Sequence, residues 1–154
     1  MPTEEYILNI VDEQFVFEFD GVLPGPPNQR RIGGVLLSQP GGTSPSTGDS
    51  KAYIRIPEDM DGLRLTAVGA SCSTAGSSGT TSVQLRRVRA GVGVDMLTTP
   101  VTIDANETDS SAAAAAAVID TDNDDVQTGD QIFFDLDSVS SGARGLYISF
   151  TFNE

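Results

Sequence analysis

The sequence predicts an all-β fold, either a sandwich or a barrel, and three observations lead to this prediction. Several short segments alternate apolar with polar residues, as half-buried strands do. Turn-forming residues separate these segments at short intervals. The composition, with 16 Gly and 8 Pro in 154 residues and 38% hydrophobic residues, is neither that of a helical bundle nor that of a wholly disordered chain.

Residues 1–50 are predicted to be an extended, proline-rich arm with strand-like pieces. Six of the eight prolines lie in this third of the chain. Residues 21–27, GVLPGPP, cannot form a helix or a central strand, because proline fixes φ and has no backbone N–H to donate. Residues 39–50, QPGGTSPSTGDS, are rich in turn formers and predict a linker or loop.

Three phenylalanines of this arm occupy alternate positions. In the segment QFVFEF, Phe15, Phe17 and Phe19 share one face of a predicted strand. The stripe has two interpretations. It belongs to the core of the sandwich, or the arm adds a strand to another subunit or lies over it. The prolines that follow favour an arm that stays extended and can reach another subunit. The three phenylalanines are therefore candidates for a protein interface.

Residues 51–154 are predicted to form the sandwich body. The last segment is the clearest strand, and a second regular alternation follows the Gly129-Asp130 turn. Shorter apolar pieces lie around residues 63–68, 83–88 and 96–103. The residues predicted to face the core include Ala52, Ile54, Ile56, Ile132, Phe134, Leu136, Leu146, Ile148, Phe150 and Phe152.

One segment of the body breaks the strand pattern. Six alanines, 112–117, follow Asp109 and Ser110, either of which could cap a helix. Alanine has the highest helix propensity, but a helix this short needs tertiary packing to form. We therefore expect one short helix near residues 109–118, closing one end of the sandwich.

Charge argues against two classes of partner. With 9 basic and 22 acidic residues, the chain carries a formal charge of −13. Nucleic acid and anionic membrane surfaces both require clusters of Lys and Arg, so neither is expected as a partner. The start of the chain lacks a signal peptide, and no segment has the roughly 20 apolar residues needed to span a bilayer. We expect the protein to be made in a cytoplasm.

Reactive side chains are scarce. The chain has no histidine, the commonest general base and zinc ligand, and Cys72 is its single cysteine. No serine therefore has a histidine to activate it, and Cys72 is interpreted as a small apolar residue in a strand. We expect no enzymatic activity and no cofactor.

The acidic segment 120–125, DTDNDD, is a weak candidate for calcium. Asp120, Asp122 and Asp124 offer the oxygen ligands that Ca²⁺ prefers. An EF-hand loop that began at Asp120 would need Gly at its sixth position and Glu at its twelfth, and the chain has Asp125 and Gln131 there. The alternative is an acidic loop that is simply solvated.

Five arginines lie in two groups. In so acidic a chain they are more probable partners of carboxylates, within the chain or at a protein interface, than readers of nucleic acid. Ordinary surface positions are the competing interpretation. The interface candidates in these groups are Arg30, Arg31, Arg86, Arg87 and Arg89.

Short phrases of the body resemble a virion module of tailed bacteriophages. The phrases are KAYIRIPEDMDGLRLTAVGASCSTAGSSGTTSVQLRRV, DMLTTPVTIDANETDSSAAA, VQTGDQIFFDLD and GARGLYISFTF. They lie in the block from Lys51 to Phe152, which covers about two-thirds of the chain. The resemblance implies a jelly-roll-like antiparallel β-sandwich. Modules of this kind occur in head decoration (cement) proteins and in tail-fibre or baseplate proteins that bind host sugars.

The resemblance yields a functional hypothesis with one alternative. The leading expectation is a capsid decoration protein on the virion surface that bridges major capsid subunits and contacts copies of itself, with a trimer as the assumed unit. The alternative is a tail-fibre or baseplate domain that recognises host glycans through its loops, 71–82 and 120–129. Few aromatic residues lie in the predicted loops, and this disfavours a sugar platform there.

Overall fold

A computed structural model describes residues 5–11, 14–20 and 31–154, and for the first two of these segments it describes the backbone alone. This part of the chain is built of antiparallel strands with two single 3-10 turns, so the all-β prediction is confirmed. No helix within it is long and apolar enough to cross a membrane. The strands are β1 (Glu5–Val11), β2 (Gln14–Asp20), β3 (Arg31–Leu36), β4 (Gly48–Arg55), β5 (Arg64–Thr74), β6 (Thr81–Arg89), β7 (Val92–Asp95), β8 (Leu97–Thr99), β9 (Val101–Ile103), β10 (Val118–Ile119), β11 (Gln131–Ser138) and β12 (Arg144–Asn153).

Most strands belong to two sheets. Sheet I has the order β1-β2-β3-β12-β5, and sheet II has the order β4-β11-β6-β7, with β9 also paired to β6. β8 and β10 form a separate two-stranded ribbon. Seven of these strands follow jelly-roll order, but beside β5 the described residues supply isolated bridges at Arg64 and Ser71 instead of an eighth strand. The jelly-roll topology therefore stays a prediction.

The core lies between the two sheets and contains the residues that alternation assigned to it. Leu146, Ile148 and Phe152 of β12 are at most 1% exposed. On sheet II, Phe134 is fully buried, and its ring centroid lies 5.8 Å from that of Phe150 on sheet I. Each such side chain contributes roughly 1.5–3 kcal/mol when it is fully buried.

The sandwich extends to the N-terminal side of residue 51, the predicted start of the body. β3 pairs with β12 along its whole length, and Val35 is fully buried. β4 begins at Gly48. The sheets thus take in residues that the sequence assigned to an extended arm, because Gly33 and Gly34 interrupt the apolar alternation by which a strand is recognised.

These two glycines accommodate one aromatic ring on each face of sheet I. A Cβ on Gly33 would lie 2.5 Å from Cε2 of Phe150, a core residue. A Cβ on Gly34 would collide with the ring and hydroxyl of Tyr147, which lies on the outward face. Neighbouring residues of a strand point to opposite faces, so both rings need the close approach that glycine alone permits.

The predicted helix near residues 109–118 is limited to one 3-10 turn, Ser110–Ala112. Its cap is as expected, since the Asp109 side chain accepts a hydrogen bond from the Ser111 N–H at 2.8 Å. The alanines that follow are not helical, because their backbone groups have other partners. Ala114 N–H donates to Asp104 Oδ2, and the Ala115 carbonyl accepts from Thr102 Oγ1. These contacts outweigh alanine's propensity in so short a segment.

We predict that Gly33→Ala destabilises the fold by about 1–3 kcal/mol, because Phe150 is packed in the core and cannot yield without strain. Urea unfolding would measure the change. Gly93→Ala in β7 is the matched control, since its added Cβ would meet its nearest neighbour, Arg86 Nη1, at an ordinary 3.4 Å. Equal stability of Gly33→Ala and Gly93→Ala would contradict the prediction.

Candidate functional site

Among the described residues, neither the side chains of a metal site nor those of a reactive cysteine lie together. Among them, no group of three or more His, Cys, Asp or Glu side chains could hold a metal ion. Cys72 lies in the core, where burial raises the pKa of its thiol more than a hydrogen bond from the Thr74 backbone lowers it. Its Sγ lies 3.7 Å from the Glu107 carbonyl. The thiol is therefore held protonated and unreactive at neutral pH.

Two of the three calcium candidates, Asp120 and Asp124, use their carboxylates in separate contacts, and the third, Asp122, is exposed. Asp120 accepts hydrogen bonds from the Asp122 backbone N–H and from Asn123 Nδ2, at 3.1 and 2.8 Å. Asp124 is buried and forms an ion pair with Arg64 at 2.7 Å. The carboxylates of Asp120 and Asp124 thus stabilise the loop itself.

The same acidic loop closes one end of the sandwich. The loop runs from residue 120 to residue 130, between β10 and β11. Val126, near its middle, is fully buried, and its backbone exchanges hydrogen bonds with residues 62–63. Backbone bonds from Ile56 to Asp130 and from Gly129 to Ile56 secure the second half of the loop. The loop is therefore an integral part of the core and not a free binding loop.

Two arginines on the core-facing side of β6 hold this loop by an arginine–aspartate cluster. Arg87, 7% exposed, donates to the Asn123 carbonyl and to both the carbonyl and the carboxylate of Asp125. Arg89 pairs with Asp125 at 2.9 Å and with the buried Asp130 at 2.7 Å. Arg87 and Arg89 thus pair with acids of the same chain, and a role of either residue in an interface stays a prediction.

Hydrogen bonds shift the protonation equilibria within this cluster. For Asp125, burial alone would raise the carboxyl pKa, but hydrogen bonds from Arg89 and Arg87, together with their charges, lower it overall. The hydrogen bond to Asp130 is the main cause that raises the pKa of the Arg89 guanidinium. Both ions are thus stabilised in the folded chain at neutral pH.

The opposite face of the same strand carries a different arrangement. Tyr53 of β4, Phe133 of β11 and Arg86 of β6 are directly paired neighbours on the outward face of sheet II, and we call them the outward row. The ring centroids of Tyr53 and Phe133 are 5.3 Å apart with a 31° tilt, and Arg86 Cζ lies 5.2 Å from the Phe133 centroid. Tyr53 is 50% exposed. The row is an exposed aromatic and cationic surface.

The arginine of the outward row is held rigidly. Arg86 binds Asp135 through two nitrogens, Nε to Oδ2 at 2.6 Å and Nη2 to Oδ1 at 3.1 Å. The Ser50 backbone N–H donates to the same carboxylate at 2.6 Å, and the Ser50 hydroxyl accepts from Arg86 Nη2. The hydrogen bond with Asp135 is the main cause that raises the Arg86 pKa. Arg86 therefore carries a fixed charge in one geometry.

Four acidic residues surround the row. The pKa of the Asp137 carboxyl is raised, first by burial and then by the charges of Asp135, Asp49 and Asp95. Arg86, together with Lys51 and Arg55 on the same face, offsets part of this negative charge. The outward face of sheet II thus combines an aromatic row with charged residues of both signs around it.

The other interface candidates are placed as follows. Arg31 forms an ion pair with Asp59 at 2.7 Å, with its side chain 12% exposed. Arg30 lies outside the described residues, as do the side chains of Phe15, Phe17 and Phe19, although the backbone of β2 that carries these phenylalanines pairs with β3. A role of any of these residues in an interface stays a prediction.

Tyr53 is the member of the outward row that sequence reasoning passed over. The signal was present, because Lys51, Tyr53 and Arg55 alternate with the core residues of β4 and so must face outward. Phe133 likewise alternates with the core residues Ile132 and Phe134 of β11, but its contact with Tyr53 follows only from the pairing of β11 with β4.

We predict that Arg89→Met costs about 3 kcal/mol of stability, because it leaves the carboxylate of Asp130, 3% exposed, buried without its cation. Arg144→Met is the matched control and is expected to cost less than ~1 kcal/mol, since Arg144 is exposed and forms no ion pair with a buried carboxylate among the described residues. Urea unfolding at neutral pH measures both. Similar losses in the two variants would contradict the role given to the buried cluster.

We predict that Asp137→Asn raises the melting temperature at pH 7. The raised pKa means that the charged carboxyl is less stable in the folded than in the unfolded chain, so its removal stabilises the fold above that pKa. The gain should vanish as the pH falls through the raised pKa towards 3.8, where the acid is protonated in both states. Asp122→Asn, in an exposed loop position, controls for the change in net charge. An equal gain in both variants would contradict the prediction.

Comparisons with protein-family models, with curated proteins and with solved structures found no match to this chain.

Proposed function

We propose that this chain is a non-enzymatic structural protein of a bacteriophage virion, a capsid decoration protein that bridges major capsid subunits. The phrases that resemble phage virion modules coincide with β4, β5, β6, β11 and β12, the strands that form most of the two sheets. Among the described residues no group of three or more His, Cys, Asp or Glu side chains could hold a metal ion, and the chain has no histidine to act as a general base. A rigid scaffold of this kind is suited to adhesion.

The outward row is the observation that carries the proposal. Tyr and Arg are the residue types that most often dominate the energy of protein interfaces, where they pack into pockets of the partner. Here Arg86 is fixed by Asp135, and Tyr53 rests against Phe133, so little side-chain freedom is lost when a partner binds. The charges of both signs around the row suit a partner surface that carries complementary charges around an apolar pocket.

Decoration acts by mass action. A protein that binds the assembled capsid and not its free subunits stabilises the lattice in proportion to RT ln(1 + [L]/Kd). Many copies on one particle would add to this effect, and contacts that span a junction between subunits would oppose its separation under internal pressure. The excess of acidic residues would keep free copies soluble before assembly.

The alternative function, recognition of host glycans by a tail-fibre or baseplate domain, is favoured by one observation. The half-exposed Tyr53 ring on a flat sheet face could stack against a sugar ring. The predicted loop sites gain less support, because residues 124–130 are occupied in closing the sandwich. Glycan binding is therefore tested at the same tyrosine.

We predict that Tyr53→Ser lowers binding to heads prepared without decoration protein by ~10-fold or more, as loss of an interface hot spot does. Co-sedimentation with heads would measure the affinity, and electron microscopy would locate the bound density. Val92→Ser is the matched control, because Val92 is also apolar and 65% exposed but lies outside the row. Its binding should equal that of the unaltered protein.

Two results would overturn this proposal. Head binding that is equally strong with Tyr53→Ser and Val92→Ser would remove the outward row from the interface. Binding to tails or to host cells, with no binding to heads, would replace capsid decoration by the alternative function.

A further inference from the structure

The β1–β2 hairpin has one face made of apolar residues alone. Its two strands pair residue by residue, so that opposed residues belong to the same face of the sheet. The pairs on the first face are Tyr6 with Phe19, Leu8 with Phe17 and Ile10 with Phe15. The second face holds Glu5, Ile7, Asn9, Val11, Gln14, Val16, Glu18 and Asp20. Every charged residue of the two strands thus belongs to the second face.

The pairing of β2 with β3 shows which side of sheet I each face occupies. Val16, on the second face, is paired with Val35, a fully buried core residue. Phe17 and Phe19, on the apolar face, are paired with Gly34 and with Ile32, which is 40% exposed. The six apolar positions therefore belong to the side of sheet I that faces away from the sandwich core.

We propose that this hairpin face, together with Ile32, is a self-association surface on which a second copy of the chain packs. We call it the hairpin face. Self-association through this face is a role beyond the proposed decoration function and does not depend on that function. It also lies on a different sheet from the outward row.

The size of the hairpin face matches an interface between copies. Covered aromatic side chains bury about 150–250 Å² each, so four aromatics with Leu8 and Ile10 would bury on the order of 800 Å² per copy. This is the area per partner of a standard stable interface. Interfaces between copies of one chain are also more apolar than other interfaces, as this uncharged face is.

The charge distribution favours a second copy over a different partner. A chain of net charge −13 repels its own copies, so a self-association surface must keep its acidic residues away from the contact. The hairpin does so, with Glu18 and Asp20 on the other face. An uncovered apolar strand surface also promotes aggregation, and another copy is the partner present from synthesis onwards.

Light scattering after size-exclusion chromatography tests the proposal with the full-length chain. We expect a mass of twice the 16.2 kDa of one chain or a higher closed multiple. Leu8→Glu should raise the dissociation constant at least ~10-fold, because it places a charge in the apolar contact. Val92→Glu is the matched control, since it adds the same charge at an apolar position that is 65% exposed on β7 of sheet II, and it should leave the mass unchanged.

A second pair of variants avoids the hairpin itself, in case Leu8→Glu fails to fold. Ile32→Glu, at an exposed position of β3 beside Phe19, should also weaken association, whereas Ala67→Glu should not. Ala67 is exposed on the same side of sheet I, but on β5 at the far edge. Circular dichroism would verify the strand content of each variant.

Three outcomes would overturn the proposal. The unaltered chain could remain a single copy at the highest concentration reached. Val92→Glu could dissociate the copies as fully as Leu8→Glu does. Folded Leu8→Glu and Ile32→Glu variants could both keep the native mass, which would place the contact elsewhere.

Discussion

The pairing of Arg87 and Arg89 with Asp125 and Asp130 is the interaction on which the rest of the molecule depends. It fixes the acidic loop across the open end of the sandwich, and Val126 on that loop completes the core. The cluster does not satisfy every group, because Arg87 Nε is buried without a hydrogen-bond partner among the described residues. Arg87 thus keeps one unpaired donor at a buried position, a known cost in proteins. The backbone bonds of the loop and the burial of Val126 offset it.

Strand β6 carries residues of both the arginine–aspartate cluster and the outward row. Val83 and Leu85 face the core, Arg87 and Arg89 continue the same side to the end of the sandwich, and Arg86 faces outward. The period of two in a strand therefore gives neighbouring arginines unrelated roles. A shift of one residue in the pairing of β6 with β11 would bury Arg86 and expose Arg87, so the core and the outward row depend on one register.

Alternation within single strands was enough to predict the all-β class and most of the core. Leu146, Ile148, Phe150 and Phe152 are buried as their spacing requires. The sequence did not predict β3, because its two consecutive glycines interrupt the alternation of apolar and polar residues by which a strand is recognised. These glycines make room for Phe150 and Tyr147.

The contacts of the candidate site could not be predicted in the same way. Along the chain, Arg89 lies 36 residues from Asp125 and 41 residues from Asp130. Nothing in the sequence distinguishes these two partners from the rest of its 22 acidic residues. The alanine segment shows the converse case. Local propensity favoured a helix, but hydrogen bonds with Asp104 and Thr102 hold its backbone in another conformation. In both cases the local structure depends on hydrogen bonds between residues that are distant along the chain, and local sequence patterns do not predict such contacts.

The two proposed surfaces are compatible because they belong to different sheets. The outward row lies on the outer face of sheet II, and the hairpin face lies on the outer side of sheet I. Two stacked sheets present their outer faces in opposite directions, with the core of about 10 Å between them. A copy could therefore contact its neighbour with one sheet while the other sheet binds a separate surface. Each contact of such a pair would raise the effective concentration of the next, so that weak individual contacts sum to stable attachment. The rigidity supplied by the arginine–aspartate cluster matters here, since a scaffold that deformed would lose the fixed separation on which simultaneous contact depends.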